Sequence, residues 1–307
     1  MKFEGLFIPY VTPFDDKGAI DTDSLKRLTK HFVDMKDVAG MVSCARIGEG
    51  TVQTMEEKRQ VFKYTGQVCR DAGKIHVATI APQSTDEAIR IIQDLETMPV
   101  DAVMIFPPLL FAWGKVGGEL KYRFFEDIIR ATKMPIFLFQ IPVQNYWYDV
   151  ETICRIAKFD RVVAFKEASF SMELFTDTVK GLKAQNSHMN VLSGNDKFVG
   201  KSYEIGSKGS LIGISTLATE KWGQMDSAGR SGDFKKALAL QEELRALSEL
   251  VFGEPLVEAV GRIKAILQHE GLIKSAFVRR PQLGVTPDER QKLIASYEAL
   301  NRKQKVA

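Results

Sequence analysis

Lys166 is the residue best placed for covalent chemistry, because it ends a short apolar run, Val162–Phe165. A lysine whose stem leaves such a strand lies in poorly solvated surroundings, which disfavour the ammonium form and lower its pKa. The free amine that results can attack a carbonyl carbon. The alternative is a structural ion pair with a neighbouring carboxylate such as that of Glu167, and position alone leaves both interpretations open.

Other residues that can bind a ligand or carry a proton stand at the ends of other short apolar runs. They are Thr12, Arg46, Glu49, Pro107–Pro108, Gln140, Ser193–Asp196, Gly213 and Ser215. If the runs are parallel strands of one barrel, their carboxyl ends lie on the same face, which is where the active sites of such barrels are found. We therefore expect a single site that includes Lys166.

The elements that position these residues are eight short apolar runs, which alternate with longer amphipathic segments. The runs are Leu6–Val11, Gly40–Cys44, Ile75–Ile80, Ala102–Phe106, Ile136–Phe139, Val162–Phe165, Asn190–Leu192 and Gly209–Ile214. Nearly continuous apolar runs are typical of parallel strands buried on both faces. Eight strand–helix alternations predict an α/β fold, a (β/α)8 TIM barrel over residues 1–230. An open doubly wound sheet is disfavoured, because no GxGxxG motif or P-loop follows the first run.

Helical patterns fill the intervals between the runs, and helices alone follow Gly229. The eight in the barrel region are Asp23–Val38, Met55–Ala72, Thr85–Thr97, Gly118–Thr132, Val150–Lys158, Ser171–Ala184, Lys197–Gly206 and Thr219–Gly229. Thr54 and Ser84 precede acidic first turns and are predicted N-caps. The later helices, Asp233–Phe252, Leu256–His269 and Pro287–Asn301, predict a C-terminal helical extension (residues 231–307) packed on the barrel.

The composition of the 307 residues excludes several classes of function. The formal net charge of +3 is small and scattered, so a nucleic-acid partner is not expected, and the basic residues Arg302, Lys303 and Lys305 are interpreted as a solvated tail. No apolar stretch is long enough to span a bilayer, so no membrane partner is expected. Three widely spaced cysteines favour reduced thiols and a cytoplasmic location. Four isolated histidines, without HExxH spacing, make a histidine metal site improbable.

Several short segments occur in the order found in one known family. They are Ile8–Phe14, Gly18–Asp21, Gly48–Glu49, Thr54–Glu57, Pro107–Pro108, Phe165–Ser169, Ser193–Asp196 and Gly209–Ser215. Each match is short, but together they follow the strand–helix alternation over about residues 5–230. The chain thus resembles a divergent member of the family typified by dihydrodipicolinate synthase and N-acetylneuraminate lyase, in which Glu and small residues follow a strand-end lysine.

The resemblance implies class I chemistry, in which Lys166 condenses with a small-molecule 2-oxo acid to form a covalent imine. The protonated imine withdraws electrons, so that a C–C bond can break or form, or water or ammonia can leave, without a metal or another cofactor. The resemblance also implies a homo-oligomer, a tetramer or a dimer. The aromatic residue that often reaches a neighbouring subunit's site is replaced here by Leu109 or Leu110.

The chain departs from the family pattern around the expected imine. Phe139 stands where a proton-relaying tyrosine is expected, and phenylalanine can neither donate nor accept a proton. Arg46 and Ile47 replace two hydroxyl residues, one relaying protons and one holding the substrate carboxylate. The Arg46 guanidinium could bind that carboxylate through two hydrogen bonds, or could instead turn to solvent or pair with Glu49. Gln144 replaces an arginine of the dihydrodipicolinate synthases, which argues against that activity.

These observations give a set of candidate site residues. Tyr146 is the candidate replacement for the lost phenol, with Tyr10 and Tyr148 as alternatives; Glu49 and Ser169 could carry protons through water. The expected substrate contacts are Arg46, Ile47, Gly48, Phe139, Gln140, Ser193 and Gly213. The leading hypothesis is a class I lyase or hydro-lyase, either a pyruvate-type aldolase or a 2-oxo-3-deoxy sugar-acid dehydratase. Alternatives are a catalytically weak sensor or scaffold that binds a 2-oxo acid and, more distantly, a metal-dependent aldolase.

Overall fold

The computed structural model describes residues 1–304, with eight parallel strands that close into a barrel. The strands are β1 (Gly5–Pro9), β2 (Val38–Ser43), β3 (Ile75–Ile80), β4 (Ala102–Ile105), β5 (Ile136–Gln140), β6 (Val162–Glu167), β7 (Asn190–Ser193) and β8 (Gly209–Ser210). Each strand pairs with the next in sequence, and β1 pairs with β8 to close the barrel. The predicted (β/α)8 barrel is therefore confirmed.

Eleven α-helices follow from the sequence patterns in the described part of the chain. They are α1 (Thr22–Val33), α2 (Met55–Asp71), α3 (Thr85–Leu95), α4 (Gly118–Ala131), α5 (Val150–Ile156), α6 (Met172–Ala184), α7 (Val199–Ile205), α8 (Thr219–Ser231), α9 (Phe234–Val251), α10 (Ala259–His269) and α11 (Pro287–Gln304). Thr54 forms a reciprocal capping box with Glu57, and the Ser84 hydroxyl accepts from the Glu87 amide, so both predicted N-caps are present.

Some element ends differ from the prediction. Strand β8 ends at Ser210 rather than Ile214, because Gly213–Thr216 form a 3-10 turn at the mouth of the barrel. Strand β6 continues through Lys166 and Glu167, so both residues have the fixed, alternating orientation of strand residues. The basic tail predicted at Arg302, Lys303 and Lys305 lies outside the residues whose side chains are described.

Apolar side chains form two packed layers. Residues that point into the barrel include Phe7, Val42, Phe137, Phe139 and Leu192, and they fill its interior. The alternate residues of the same strands pack outward against the helices and form the larger cluster. This two-sided burial explains why the strands appear in the sequence as continuous apolar runs.

The C-terminal helices pack against the barrel and against each other. Helix α9 packs on α7 and α8, with Leu240, Leu244 and Leu247 buried, and α11 packs on α9 and α10. Helix α10 is buried along nearly its whole length, which includes the charged residues Arg262 and Lys264. Within residues 1–304, none of the helices is both long and apolar enough to cross a bilayer.

Candidate active site

A cavity of about 200 Å³ opens at the carboxyl end of the strands. We call it the lysine cavity. Its walls are Pro9, Ala45, Arg46, Ile47, Phe106, Phe139, Ile141, Pro142, Val143, Lys166, Ala168, Phe170, Gly194, Asp196, Gly213, Phe252 and Leu256. Of the predicted site residues, the structure brings together Lys166, Arg46, Ile47, Phe139 and Gly213. Tyr146, Glu49, Gly48, Gln140 and Ser193 are not in its walls.

Lys166 is buried, and its amine has no ion-pair partner among the described side chains. It pairs in register with Phe139 of β5 and Leu192 of β7, both interior residues, and its side chain is 8% exposed. Its Nζ lies 4.4 Å from the centroid of the Phe139 ring, and it makes no hydrogen bond or ion pair with the side chains that the structure describes, residues 1–300. The pKa of Lys166 is lowered to about 7, mainly by burial and next by the positive charge of Arg46, while the negative charge of Asp196 opposes both.

Glu167, the proposed ion-pair partner of Lys166, points away from it. Its carboxylate accepts hydrogen bonds from Gln140 Nε2 at 3.0 Å, the Ser169 amide at 3.0 Å and Asn195 Nδ2 at 2.7 Å. Burial raises the pKa of Glu167, and these donors partly oppose the rise. Consecutive strand residues face opposite sides, so Glu167 fastens β6 to the neighbouring loops and leaves Lys166 free. The suggested ion pair between Lys166 and Glu167 is therefore absent from the structure.

Gln140 and Ser193 do not have the substrate-binding position expected of them. Gln140 follows the inward-facing Phe139 and points outward, where its Oε1 accepts from the Tyr148 amide at 2.7 Å. Ser193 follows the inward-facing Leu192 and is fully buried. Both residues end a strand, but the twofold alternation of strand side chains turns them away from the cavity.

Glu49 and Gly48 are structural rather than lining residues. The Glu49 carboxylate is ion-paired with Lys264 of α10 and accepts hydrogen bonds from the Arg279 amide at 2.8 Å and Gln282 Nε2 at 3.1 Å. It is 2% exposed, so it is held away from the cavity instead of carrying protons there. The Gly48 carbonyl accepts from Thr12 Oγ1 at 2.8 Å, which fixes the loop after β2.

Arg46 is part of the cavity wall and does not pair with Glu49. Its Nη1 donates to the Leu256 carbonyl at 3.2 Å, and its guanidinium carbon lies 5.3 Å from the centroid of the Phe252 ring. Both partners belong to the C-terminal region. These contacts orient the guanidinium but use few of its five donors, so it can still bind a carboxylate.

No tyrosine in the described chain replaces the missing phenol in the cavity walls. Tyr146 lies in the 3-10 turn Gln144–Tyr146, is partly buried and does not line the cavity, so the structure does not give it the catalytic position expected. Tyr10 is buried with its hydroxyl hydrogen-bonded to Thr65 of α2, outside the barrel interior. Tyr148 is buried beside Phe125, and burial raises its pKa.

Asp196 was named among the strand-end residues of the sequence but was not chosen as a catalytic or substrate-binding residue. It lines the lysine cavity, and its Oδ1 is buried without a hydrogen-bond partner in residues 1–304. Burial raises its pKa to about 6, while Arg46 and Lys166 oppose the rise. The residue belongs to the segment Ser193–Asp196, which follows the seventh strand and is one of the segments that resemble the family. Its distance past the end of β7 places it in the loop over the mouth, where its side chain can turn inward.

The closed barrel and the buried lysine at its mouth define a (β/α)8-barrel protein with a candidate active site at the carboxyl end of its strands. The chain matches the sequence model of the dihydrodipicolinate synthetase family over residues 2–300, and it belongs to that family. It is accordingly a lyase of the dihydrodipicolinate synthetase family. The recognition made from the short segments is thereby confirmed.

The relatives cover nearly the whole chain. A protein of Moorella thermoacetica named 4-hydroxy-tetrahydrodipicolinate synthase is 29% identical over 96% of this chain and 98% of its own length. One with the same name from Enterococcus faecalis is 26% identical over 94% and 96%. The solved dihydrodipicolinate synthase of Aquifex aeolicus has a TM-score of 0.88 at 22% identity, covering 97% of this chain and 98% of that one. That of Thermotoga maritima has a TM-score of 0.89 at 22% identity, covering 98% and 99%.

Proposed function

We propose that the protein is a class I lyase whose Lys166 forms an imine with the carbonyl carbon of a 2-oxo acid. The observation that carries the proposal is the unpaired Nζ of Lys166 in the lysine cavity, with a pKa of about 7. At neutral pH about half of such amines are uncharged, whereas a lysine with the ordinary pKa of 10.5 is almost entirely protonated.

The proposed chemistry needs no cofactor other than the imine itself. The Lys166 nitrogen attacks C2 of the 2-oxo acid, and the carbonyl oxygen leaves as water after it has gained two protons. The protonated imine then accepts the electron pair of a bond to C3, so that C3–C4 can be cleaved or a C3 proton removed. Loss of that proton allows a hydroxyl on C4 to leave as water, which gives the dehydratase variant.

Two charged residues are proposed to assist this reaction. The Arg46 guanidinium binds the carboxylate on C1, in place of the hydroxyl residues expected in the family. Asp196, with a free Oδ1 and a pKa of about 6, carries a proton between the imine intermediates and the departing group. The apolar walls contributed by Ile47 and Phe139 keep the site poorly solvated, which favours the neutral amine.

The substrate is proposed to be a 2-oxo or 2-oxo-3-deoxy acid. The relatives' named activity, 4-hydroxy-tetrahydrodipicolinate synthase, is not proposed for this chain. The resemblance implies that this activity uses a tyrosine and an arginine, and Phe139 and Gln144 stand in their places. The remaining candidates are an aldolase that releases pyruvate and a dehydratase of a sugar acid.

The proposal is tested by reductive trapping. The protein is incubated with pyruvate, 2-oxobutyrate and 2-oxo-3-deoxygluconate in the presence of cyanoborohydride, and the adducts are mapped by mass spectrometry. The expected result is a single modified peptide that contains Lys166. The Lys166→Ala variant, with Lys201→Ala as a surface-lysine control, separates site-specific trapping from general amine modification. Equal labelling in all three proteins, or no adduct with any acid, contradicts the proposal.

A second candidate is a catalytically weak member that binds a 2-oxo acid as a sensor or scaffold. It is favoured by one observation, namely that the walls of the lysine cavity include no tyrosine among the residues that the structure describes. Thermal stabilisation by 2-oxo acids without turnover would support this role. Turnover that is abolished by Lys166→Ala would exclude it.

We also propose a cytoplasmic homo-oligomer, either a dimer or a tetramer. Exposed apolar side chains cluster on two loops at the mouth of the barrel, where Leu109, Leu110 and Trp113 are 54%, 59% and 78% exposed and Val143 is 48% exposed. Exposed apolar patches of this kind commonly mark interfaces. Light scattering after size-exclusion chromatography tests the assembly, and a monomer at micromolar concentration would contradict it. The free thiols of Cys44, Cys69 and Cys154 are consistent with a reducing compartment.

A further inference from the structure

The lysine cavity presents a fixed amine to any small molecule that enters it. Lys166 Nζ lies over the Phe139 ring, and the cavity walls are mainly apolar. A Cβ atom added to Gly194 would lie 3.2 Å from Lys166 Cε, so the lysine stem is packed against the loop after β7 and its amine is held in place. An uncharged electrophile that is small enough for this cavity can therefore react with the amine when no 2-oxo acid is bound.

Only two other ionisable side chains line the lysine cavity within the described chain, and they have opposite charges. Arg46 lies at the exposed rim after β2, close enough for its charge to influence both Lys166 and Asp196. Asp196 follows β7, and its buried Oδ1 has no hydrogen-bond partner among the described residues. The amine therefore has a cation on one side, which can bind an anion, and a carboxylate on the other, which can accept a proton.

Carbon dioxide is a small, uncharged electrophile whose reaction with an amine suits these three groups. The lone pair of neutral Lys166 Nζ forms a bond to the carbon of carbon dioxide, one C=O π bond breaks, and its electron pair becomes the charge on oxygen. The nitrogen then loses a proton to the Asp196 carboxylate, which leaves a carbamate, –NH–COO⁻, beside a neutral carboxylic acid. The cavity walls hold one positive and one negative group both before and after the reaction, so the reaction buries no net charge.

We propose that Lys166 is a site of reversible carbamate formation with carbon dioxide, and that the Arg46 guanidinium binds the carbamate oxygens. The inference goes beyond the proposed function, because it requires the amine and its two charged neighbours but no 2-oxo acid. The carbamate nitrogen shares its lone pair with the carboxyl group and is no longer nucleophilic. Carbon dioxide and 2-oxo acids therefore compete for the same atom, and the carbamate form of the protein cannot form the imine.

The test is chemical trapping of the carbamate. The protein is equilibrated with carbon-13-labelled bicarbonate and carbon dioxide near neutral pH, and triethyloxonium tetrafluoroborate then converts any carbamate into a stable ethyl ester for peptide mapping by mass spectrometry. The expected result is a labelled ester on Lys166, which is absent from Lys166→Ala and is removed from the unaltered protein by saturating pyruvate. Lys201→Ala, which lacks an exposed lysine of α7, is the matched control and should carry as much Lys166 ester as the unaltered protein.

A second pair of variants tests the role of the cation while Lys166 stays in place. Arg46→Gln should lower the yield of Lys166 ester by about tenfold or more, the effect of a lost charge-assisted hydrogen bond, and Arg46→Lys should lower it less. The proposal is overturned if Lys166 carries no ester, as when bicarbonate merely binds at Arg46 without a covalent bond, or if Arg46→Gln carries as much ester as the unaltered protein. Failure of the proposed function gives a different result, since the Lys166 ester would then form and persist in saturating pyruvate.

Discussion

Replacing Arg46 with glutamine is expected to raise the pKa of Lys166 and to slow imine formation at neutral pH. A positive neighbour disfavours the ammonium form, so removing the guanidinium makes Lys166 easier to protonate. In the unaltered protein, a pKa of about 7 leaves about half of the amine free at pH 7. A lysine with the ordinary pKa of 10.5 would have about 0.03% free amine at that pH, which sets the lower limit for the variant.

The assay is the rate of cyanoborohydride-trapped adduct formation with saturating pyruvate, measured from about pH 5.5 to pH 9.5. The unaltered protein should give a sigmoidal profile with its midpoint near pH 7, and Arg46→Gln should move the midpoint to higher pH. Arg46→Lys is the matched control, because it keeps the positive charge while it removes the bidentate donor geometry. It should weaken pyruvate binding with much less displacement of the midpoint.

Two results would refute this reasoning. A midpoint near pH 10 in the unaltered protein would show that the cavity does not desolvate Lys166. An Arg46→Gln midpoint equal to or below that of the unaltered protein would show that the two cations do not interact. Saturation with pyruvate is essential, because Arg46 is also proposed to bind the carboxylate, and a change in affinity must not be mistaken for a change in pKa.

Three further predictions concern stability and turnover. The pKa of Lys166 is lowered in the native state, so burying this lysine reduces the free energy of unfolding as the pH falls from 10.5 towards 7. Lys166→Met should therefore increase the free energy of unfolding at pH 6 by roughly 2–5 kcal/mol, and by less at pH 9. Urea titrations at the two pH values measure the difference. A loss of stability at pH 6 would contradict this. Lys264→Met leaves Glu49 buried without its cation and should lower the free energy of unfolding by roughly 3–5 kcal/mol. Replacing the exposed Lys30 with methionine is the control and should lower it by about 0.5 kcal/mol or less. Similar losses in the two variants would show that the buried pair contributes no more to stability than an exposed one. Asp196→Asn should lower turnover of 2-oxo-3-deoxygluconate roughly a hundredfold while pyruvate is still trapped, and unchanged turnover would remove Asp196 from proton transfer.

The sequence was sufficient for the barrel and for the position of Lys166 at a strand end, because both depend on local patterns. Continuous apolar runs identify strands that are buried on both faces, and Lys166 directly follows one of them. Helix caps at Thr54 and Ser84 are likewise local, since a hydroxyl and the amide it accepts from are three residues apart.

The candidate site was harder to predict because it depends on side-chain direction and on distant partners. Gln140 and Ser193 are at strand ends as expected, but a shift of one residue along a strand turns a side chain to the opposite face. Glu49 was interpreted as a proton carrier because its cation, Lys264, lies 215 residues away in the chain. Asp196 lies in a loop, whose path no simple periodicity defines.

The C-terminal region contributes both a wall and an anchor to the barrel, and this limits how the protein can be recombined. Phe252 and Leu256 line the lysine cavity, while Lys264 neutralises Glu49 in the loop that carries Arg46. Exchanging residues 231–304 with those of a relative should therefore change one wall of the lysine cavity and the cation that pairs with Glu49 at the same time. Such a chimaera would fold stably only if the donor segment also provides a cation for the Glu49 carboxylate, so the shape of the cavity and the stability of the fold depend on the same segment.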